Sequence, residues 1–257
     1  MREFWEEQAK KFGEDVNAVN FDPIEEELEM SFLKEYFSDG DVVCDVGCGN
    51  GRTLLALAAA HSGATFHGVD FAAAMIERAN EAKARAGLEN VHFRHFDASS
   101  SNLSELFTFK FDKILTKRLL INVKGEARQR AVDNIHAMLK DDGTYVMVEC
   151  FIEPLQRINE IRAELELKEI KVREFNEYLT EDFLGSIKDR FVVENKRDFE
   201  SLYYFISRVF NAHLSEGEPD YHAPINKLAA RLIEAGVNPI EGYSPEVMLI
   251  MKKSKPR

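Results

Sequence analysis

Cysteine is scarce in this chain of 257 residues: Cys44, Cys48 and Cys150 are the only three. They are too few for a disulfide framework and lack a second close pair to make a zinc site, so reduced thiols are expected. Basic side chains are outnumbered, 33 Lys and Arg against 45 Asp and Glu, for a formal charge of −12. That balance repels phosphate backbones and anionic lipid, and nucleic acid is a poor partner for it. Long apolar runs are missing as well. The longest, Leu54 to Ala60, is seven residues, against roughly 20 for a bilayer span. The stretch MREFWEEQAKKFG has no signal-peptide core, so a cytoplasmic protein without a membrane partner is expected. Glycine and proline, 14 and 7 residues, are too sparse for fibrous or low-complexity classes, and 45% hydrophobic residues exclude disorder.

What is present is an alternation of short apolar runs and helical stripes. Residues 23–37 place Ile24, Leu28, Phe32, Leu33, Tyr36 and Phe37 on one helical face before Ser38-Asp-Gly-Asp41 breaks the pattern. Val42–Val46 then reads as a strand, Gly47-Cys-Gly-Asn-Gly51 as a loop, and RTLLALAAAH as a helix stopped at Gly63. The rhythm continues through strands over 65–70, 91–97, 111–116 and 144–150, with helices over 72–86 and 126–140. Five strands separated by helices predict a doubly wound α/β fold with a mostly parallel sheet. After Cys150 the βαβ period stops. Residues 151–189 are charged and helical in pattern, 191–199 suit a sixth strand, about 202–214 a helix, and 246–253 a last, antiparallel strand. The expected organisation is N-terminal helices (1–40), a ligand-binding core (41–150), an inserted cap with the sixth strand (151–214) and a C-terminal helix and strand completing a seven-stranded sheet (215–257).

Gly47, Gly49 and Gly51 lie between a strand and a helix, where absent Cβ atoms admit a ligand and helix N–H groups receive an anion. The dinucleotide fingerprint needs its third glycine one place later, at Arg52, which disfavours NAD. The string Val43-Cys-Asp-Val-Gly-Cys-Gly-Asn-Gly51 instead resembles motif I of class I S-adenosylmethionine-dependent methyltransferases, a resemblance covering about residues 41–150. It implies S-adenosylmethionine as cofactor, with Asp45, Gly47, Gly49, Asn50 and Gly51 in the loop region. Asp70 ends the second strand, where a carboxylate accepts both ribose hydroxyls. Asp97, with Ala98, falls where the family meets the adenine amino group, and Asp45 where it fixes the loop or meets the ligand's ammonium. Phe71 and Met75 are placed to bracket the adenine, and the helix bearing Trp5 and Phe12 matches one that folds over the cofactor in that family or packs on the core.

Other residues read less chemically. Cys44 and Cys48 suit small apolar space. His92 and His95 point to opposite faces of a strand and make no metal pair. Lys252, Lys253, Lys255 and Arg257 form a tail too short to offset the acidity. The exit of the fourth strand, Thr116–Asn122, has neither an Asn-Pro-Pro-Tyr motif nor the acidic ligands of magnesium-dependent catechol enzymes, so base flipping and a metal are not expected.

Arg118–Asn122, Asn159 with Arg162, Phe175-Asn-Glu-Tyr178 and Tyr203–Arg208 resemble bacterial small-molecule methyltransferases. If the cap closes over the donor, Arg118, Arg162 and Arg208 are expected to converge on a carboxylate or phosphoryl group, with Asn122 and Asn176 beside them. Glu149, Tyr178 and Tyr203 are the candidates to orient or deprotonate the acceptor. The expected activity is methyl transfer to a hydroxyl, in preference to an amino group, of a small polar or anionic metabolite by a monomer or homodimer. The rivals are a nicotinamide oxidoreductase and a non-catalytic binding protein on the same fold.

Overall fold

Seven segments rich in Val, Ile, Phe and Tyr pair into one sheet: β1 (Val42–Val46), β2 (Thr65–Asp70), β3 (Val91–His95), β4 (Phe111–Lys117), β5 (Leu139–Cys150), β6 (Phe191–Arg197) and β7 (Glu246–Lys253). The computed structural model describes residues 2–12, 22–100, 103–215 and 220–254. Strand order is β3-β2-β1-β4-β5-β7-β6, parallel throughout except that β7 runs antiparallel to both β5 and β6. Alternation along the strands feeds two cores, one per face. Cys44, Val46, Tyr145 and Met147 enter one cluster, whereas Val43, Val146 and Val148 enter the other.

Helices cover both faces. In α2 (Pro23–Leu33) the Asp22 carboxylate accepts from Ile24 N and Glu25 N at 3.1 and 3.2 Å, and Pro23 takes the first turn, where its missing N–H costs nothing. The expected helix over 23–37 ends at Leu33 and tightens into a 3-10 turn, Lys34–Tyr36. Next come α3 (Arg52–Ala60), α4 (Ala73–Ala86), closed by Gly87 at φ +64°, and α5 (Gly125–Met138). β5 begins at Leu139, five residues before the expected Thr144, because Leu139 already pairs with Phe111 at the amino end of β4.

The segment after β5 is less helical than its pattern predicts. α6 (Ile152–Glu164) and α7 (Glu181–Ser186) are regular, but residues 165–180 are mostly irregular and are tied down by a bridge between Phe151 and Leu179. Following β6, α8 (Ser201–Phe205) passes through a π-turn, Ile206–Phe210, into α9 (Asn211–Leu214), and α10 (Pro224–Glu234) precedes β7. At the other end, α1 (Arg2–Phe12) lies against α4. Glu6 accepts from Ala73 N and Ala74 N at 3.0 and 3.2 Å, capping α4 from a distant part of the chain, and Trp5 packs on Ala72 and Met75. The side chain of Phe12, and Lys255 and Arg257, lie outside the described residues.

Candidate functional site

Sheet order reverses between β1 and β4, and a crevice opens beyond the carboxyl ends of these strands, where ligands bind in this topology. Gly47, Gly49 and Gly51 all adopt positive φ there. Two of them answer to protein rather than ligand. A Cβ on Gly47 would stand 2.8 Å from Leu119 Cδ1, and one on Gly51 would stand 2.6 Å from Phe93 Cζ and 2.8 Å from Ala79 Cβ. Gly49 N donates to Asp70 Oδ2 at 2.9 Å and Ala72 N to Oδ1 at 2.8 Å, so Asp70 holds the loop as well as facing the crevice. Burial pushes its pKa up, and those two N–H donors oppose the shift.

Two cavities meet at Gly47, Asp70, Phe71, Leu119 and Asn122. The first, about 340 Å³, is the more polar of the two: Asp45, Asn50, Glu25, Lys117 and Tyr178 line it, and Trp5 and Met75 border it. The second, about 470 Å³, is mostly apolar, with Phe71, Phe96, Val123 and Phe175 beside Asp97 and Ala98. Of the residues expected to contact the cofactor, all but Gly51 border one of the two. Asp45 is 2% exposed and its Oδ1 has no hydrogen-bond partner; burial lifts its pKa to about 7 although Lys117 pulls it down. An orphaned carboxylate oxygen facing a cavity fits a ligand cation, and the N–H-rich loop with Asp70 fits a nucleoside. S-adenosylmethionine carries both.

The acceptor residues are dispersed. Tyr178, Asn122, Asn176, Arg118 and Arg208 line the first cavity; Glu149, Tyr203 and Arg162 do not. Glu149 is fully buried and accepts from Leu119 N, Leu120 N and Ile121 N at 2.9, 2.8 and 3.3 Å, and burial lifts its pKa to about 7 against those donors. The expectation of a base there is corrected: Glu149 fixes the turn that presses Leu119 onto Gly47. Tyr203 is also fully buried and donates to Asp22 at 2.8 Å, so it too is structural. Arg162 donates to the carbonyls of Lys168 and Arg208.

Arg118 requires the largest correction. It sits at φ +53°, and its guanidinium binds Glu246 at 2.7 Å, Glu29 at 3.1 Å and Glu26 at 3.3 Å. Lys117 binds the same Glu26 and Glu29, at 2.9 and 3.1 Å. Arg208 pairs with Asp22 at 2.9 Å and Glu25 at 3.3 Å. The three arginines therefore do not converge on an anion site, since Arg118 and Arg208 are neutralised inside the protein and Arg162 is turned away. Burial drives Glu29 up to about 8 despite both cations, while Lys117 and Arg118 outweigh burial at Glu26 and hold it at about 2.

Sequence reasoning missed these carboxylates. Asp22, Glu25, Glu26 and Glu29 recur at helical spacing, an acidic stripe beside the apolar one, yet a charged stripe ordinarily marks a solvated face. Here all four are buried. Tyr204 and Tyr221, whose rings lie 4.9 and 4.4 Å from the Arg208 guanidinium, also line the first cavity. His95 bonds Phe71 O at 2.9 Å, and the three cysteines are free and buried. Among the described residues, no cluster of three or more His, Cys, Asp or Glu is arranged to hold a metal, and no helix is long and apolar enough to cross a membrane.

A doubly wound sheet of this strand order, with a crevice at the switch between β1 and β4, has the architecture of class I S-adenosylmethionine-dependent methyltransferases. The chain belongs to the family described as a methyltransferase domain, which it matches over residues 37–204. Its cofactor is S-adenosylmethionine. It is 30% identical over 165 residues to a carboxy-S-adenosyl-L-methionine synthase of Nautilia profundicola, a match covering 63% of this chain and 68% of that one. A synthase of the same name from Campylobacter jejuni is 29% identical over 148 residues, 57% of this chain and 60% of that one. Among solved structures, geranyl diphosphate C-methyltransferase from Streptomyces coelicolor, in complex with Mg²⁺, geranyl diphosphate and S-adenosyl-L-homocysteine, superposes with a TM-score of 0.57 at 16% identity. That superposition covers 89% of this chain and 79% of that one. The mitomycin 7-O-methyltransferase superposes with a TM-score of 0.59 at 14% identity, over 98% of this chain and 60% of that one. At these identities the two structures share the fold.

Proposed function

We propose that the chain transfers the methyl group of S-adenosylmethionine to a hydroxyl, in preference to an amino group, of a small polar acceptor in the first cavity. The single observation behind this reading is the junction of the two cavities at Asp70 and Gly47. The adenine fits the apolar cavity beside Asp97 and Ala98, the ribose fits Asp70, and the methionine end reaches Asp45 in the polar one. The methyl then faces Asn122, Tyr178 and Arg208. Methyl transfer from a sulfonium needs alignment and exclusion of water more than covalent help, and the enclosing segment 170–178 with Trp5 supplies a roof. Tyr178, whose proton the nearby Cys150 and burial hold in place, orients the acceptor as a donor. The carboxylate-rich inner wall places any anionic part of the acceptor away from Glu25 and Glu246.

The test is to incubate the protein with methyl-labelled S-adenosylmethionine and the small-molecule fraction of a bacterial lysate. Label leaving the cofactor in step with S-adenosylhomocysteine is the expected result. Label that stays put, or binding of NADH equal to that of S-adenosylmethionine, would overturn the reading. A carboxylated sulfonium product would instead assign the chain to the chemistry that its relatives are named for.

Asp45 supplies a further prediction. A carboxyl that titrates near 7 must be ionised to meet the cofactor's ammonium, so affinity should rise as pH goes from 6 to 8 and level off above. Calorimetry across that range checks this, and Asp45→Asn should flatten the slope.

A further inference from the structure

The cap crosses from one cavity to the other through a strap whose two ends are pinned. At its entry, Asn159 Nδ2 donates to Ile170 O at 3.0 Å while Ile170 N donates to Asn159 Oδ1 at 2.9 Å, and Arg162 Nε donates to Lys168 O at 2.9 Å. At its exit, Glu177 N donates to Ile121 O at 2.8 Å and Leu179 N to Cys150 O at 2.9 Å, while Arg128 binds the Glu177 carbonyl and carboxylate at 3.0 and 2.9 Å. Residues 171–176 between these anchors form neither helix nor strand, and Asn176 N closes a turn on Arg173 O at 2.9 Å. Asn159 and Arg162, which the sequence singled out, thus serve the strap.

Within the strap the side chains divide. Lys171, Arg173 and Asn176 line the first cavity, with Ile170 and Tyr178 at the anchors, whereas Phe175 lines the second. Among the described residues, Phe175 is the cap's one contribution to that apolar wall, and the rest comes from residues 47–127. Its half-buried ring lies 4.6 Å from that of Phe4 and 6.4 Å from that of Trp5, with the Arg173 guanidinium 6.0 Å away. Phe4 and Trp5 belong to α1, which Glu6 fastens to α4, so the ring is backed by an anchored element. The neighbouring Asn176 has a buried Oδ1 without a hydrogen-bond partner, and so has Asn122, which borders both cavities. Two orphaned amide oxygens beside one space call for N–H or O–H donors on the molecule that fills it.

We infer that Phe175 is a positioning residue that ties the cofactor's adenine to the acceptor: adenine packs on its ring, fixes the strap against α1, and so sets Asn176 for a donor group of the acceptor. This rests on the placement of cofactor and acceptor proposed above. Consecutive Cα atoms stand about 3.8 Å apart, and a strap pinned at both ends cannot shift Phe175 without shifting Asn176. Apolar surface buried between ring and adenine supplies the free energy that favours this one pose. Coupling between two ligands is reciprocal, so the acceptor tightens the cofactor by the factor by which the cofactor tightens the acceptor.

Hydrogen exchange followed by mass spectrometry tests the strap without an acceptor. In the parent protein, saturating S-adenosylhomocysteine should slow exchange of the 171–176 amides by about tenfold or more, adenosine should do the same, and methionine should not. In Phe175→Ala, with S-adenosylhomocysteine again saturating, the slowing should vanish. No slowing in the parent, or equal slowing in parent and variant, would overturn the inference. The labelled-methyl assay with the lysate small-molecule fraction adds a readout that a mere cofactor contact would not move. At saturating S-adenosylmethionine, Phe175→Ala should slow transfer by about 30- to 100-fold, as misplaced reactants do, and Phe175→Leu, which keeps an apolar branch on the cavity, should recover most of the rate. Phe4→Ala, whose lost ring lines neither cavity, should slow transfer in the same direction. Unchanged transfer by Phe175→Ala at saturating cofactor would overturn the coupling. If no label leaves the cofactor in the parent protein, the methyl-transfer reading fails and the exchange result judges the strap by itself.

Discussion

Asp70→Ala is expected to weaken S-adenosylmethionine binding by about 100-fold or more while the protein stays folded. Two charge-assisted hydrogen bonds to ribose hydroxyls contribute about 1.5–3 kcal/mol each, and about 1.36 kcal/mol is a factor of ten. The same carboxylate accepts from Gly49 N and Ala72 N, so its removal also frees the glycine loop that the cofactor must meet in a fixed shape. Calorimetry measures the affinity, and circular dichroism checks the fold. An unchanged Kd in a folded variant would mean that the ribose is held by other residues.

The second large effect is on stability. Arg118→Ala should destabilise the cofactor-free protein by about 3–5 kcal/mol, the usual cost of breaking a buried ion pair from one side. Glu26, Glu29 and Glu246 would lose the cation between them. The sign with pH follows from the raised groups. Glu29 and Glu246 already have folded pKa values above the unfolded one, and losing the guanidinium raises them further. A carboxyl with a raised folded pKa binds its proton more tightly when folded, so stability falls as pH climbs from the unfolded toward the folded value. The deficit of Arg118→Ala should therefore be larger at pH 8.5 than at pH 5.5 in urea unfolding. A variant as stable as the parent at both would show that the cluster reorganises without it.

Much of the architecture was legible in the residues, for reasons that differ by element. Strands β1, β2 and β4 are short apolar runs between turn signals, and such runs change state only if tertiary contacts override them. β7 was readable as a strand because Glu246–Lys253 is an apolar run of strand length, whereas its insertion between β5 and β6 is a matter of tertiary pairing. The irregular stretch 165–180 was not readable: its charged residues fit a helical period, but the pairing of Phe151 with Leu179 holds it extended in places. At the site, the residues around the crevice were readable because the glycine loop and the strand ends dictate where they fall. The surroundings of the individual glutamates were not, because Glu149 and Glu25 are chemically alike in a sequence. What separates them is which one is occupied by three backbone N–H groups and which one borders the cavity.

The register shift between Val193 and Asn195 carries a consequence for the molecule as a solute. β6 is the outer strand next to β7, with Val192 and Val193 half exposed, which would make it a template for another chain's strand. A residue is added at the shift, so the outward row of N–H and C=O groups loses its even spacing, and Glu194, Lys196 and Arg197 follow in charged succession. A second copy approaching this border would meet a twisted, charged rim. The sheet ends where its chemistry stops it from growing.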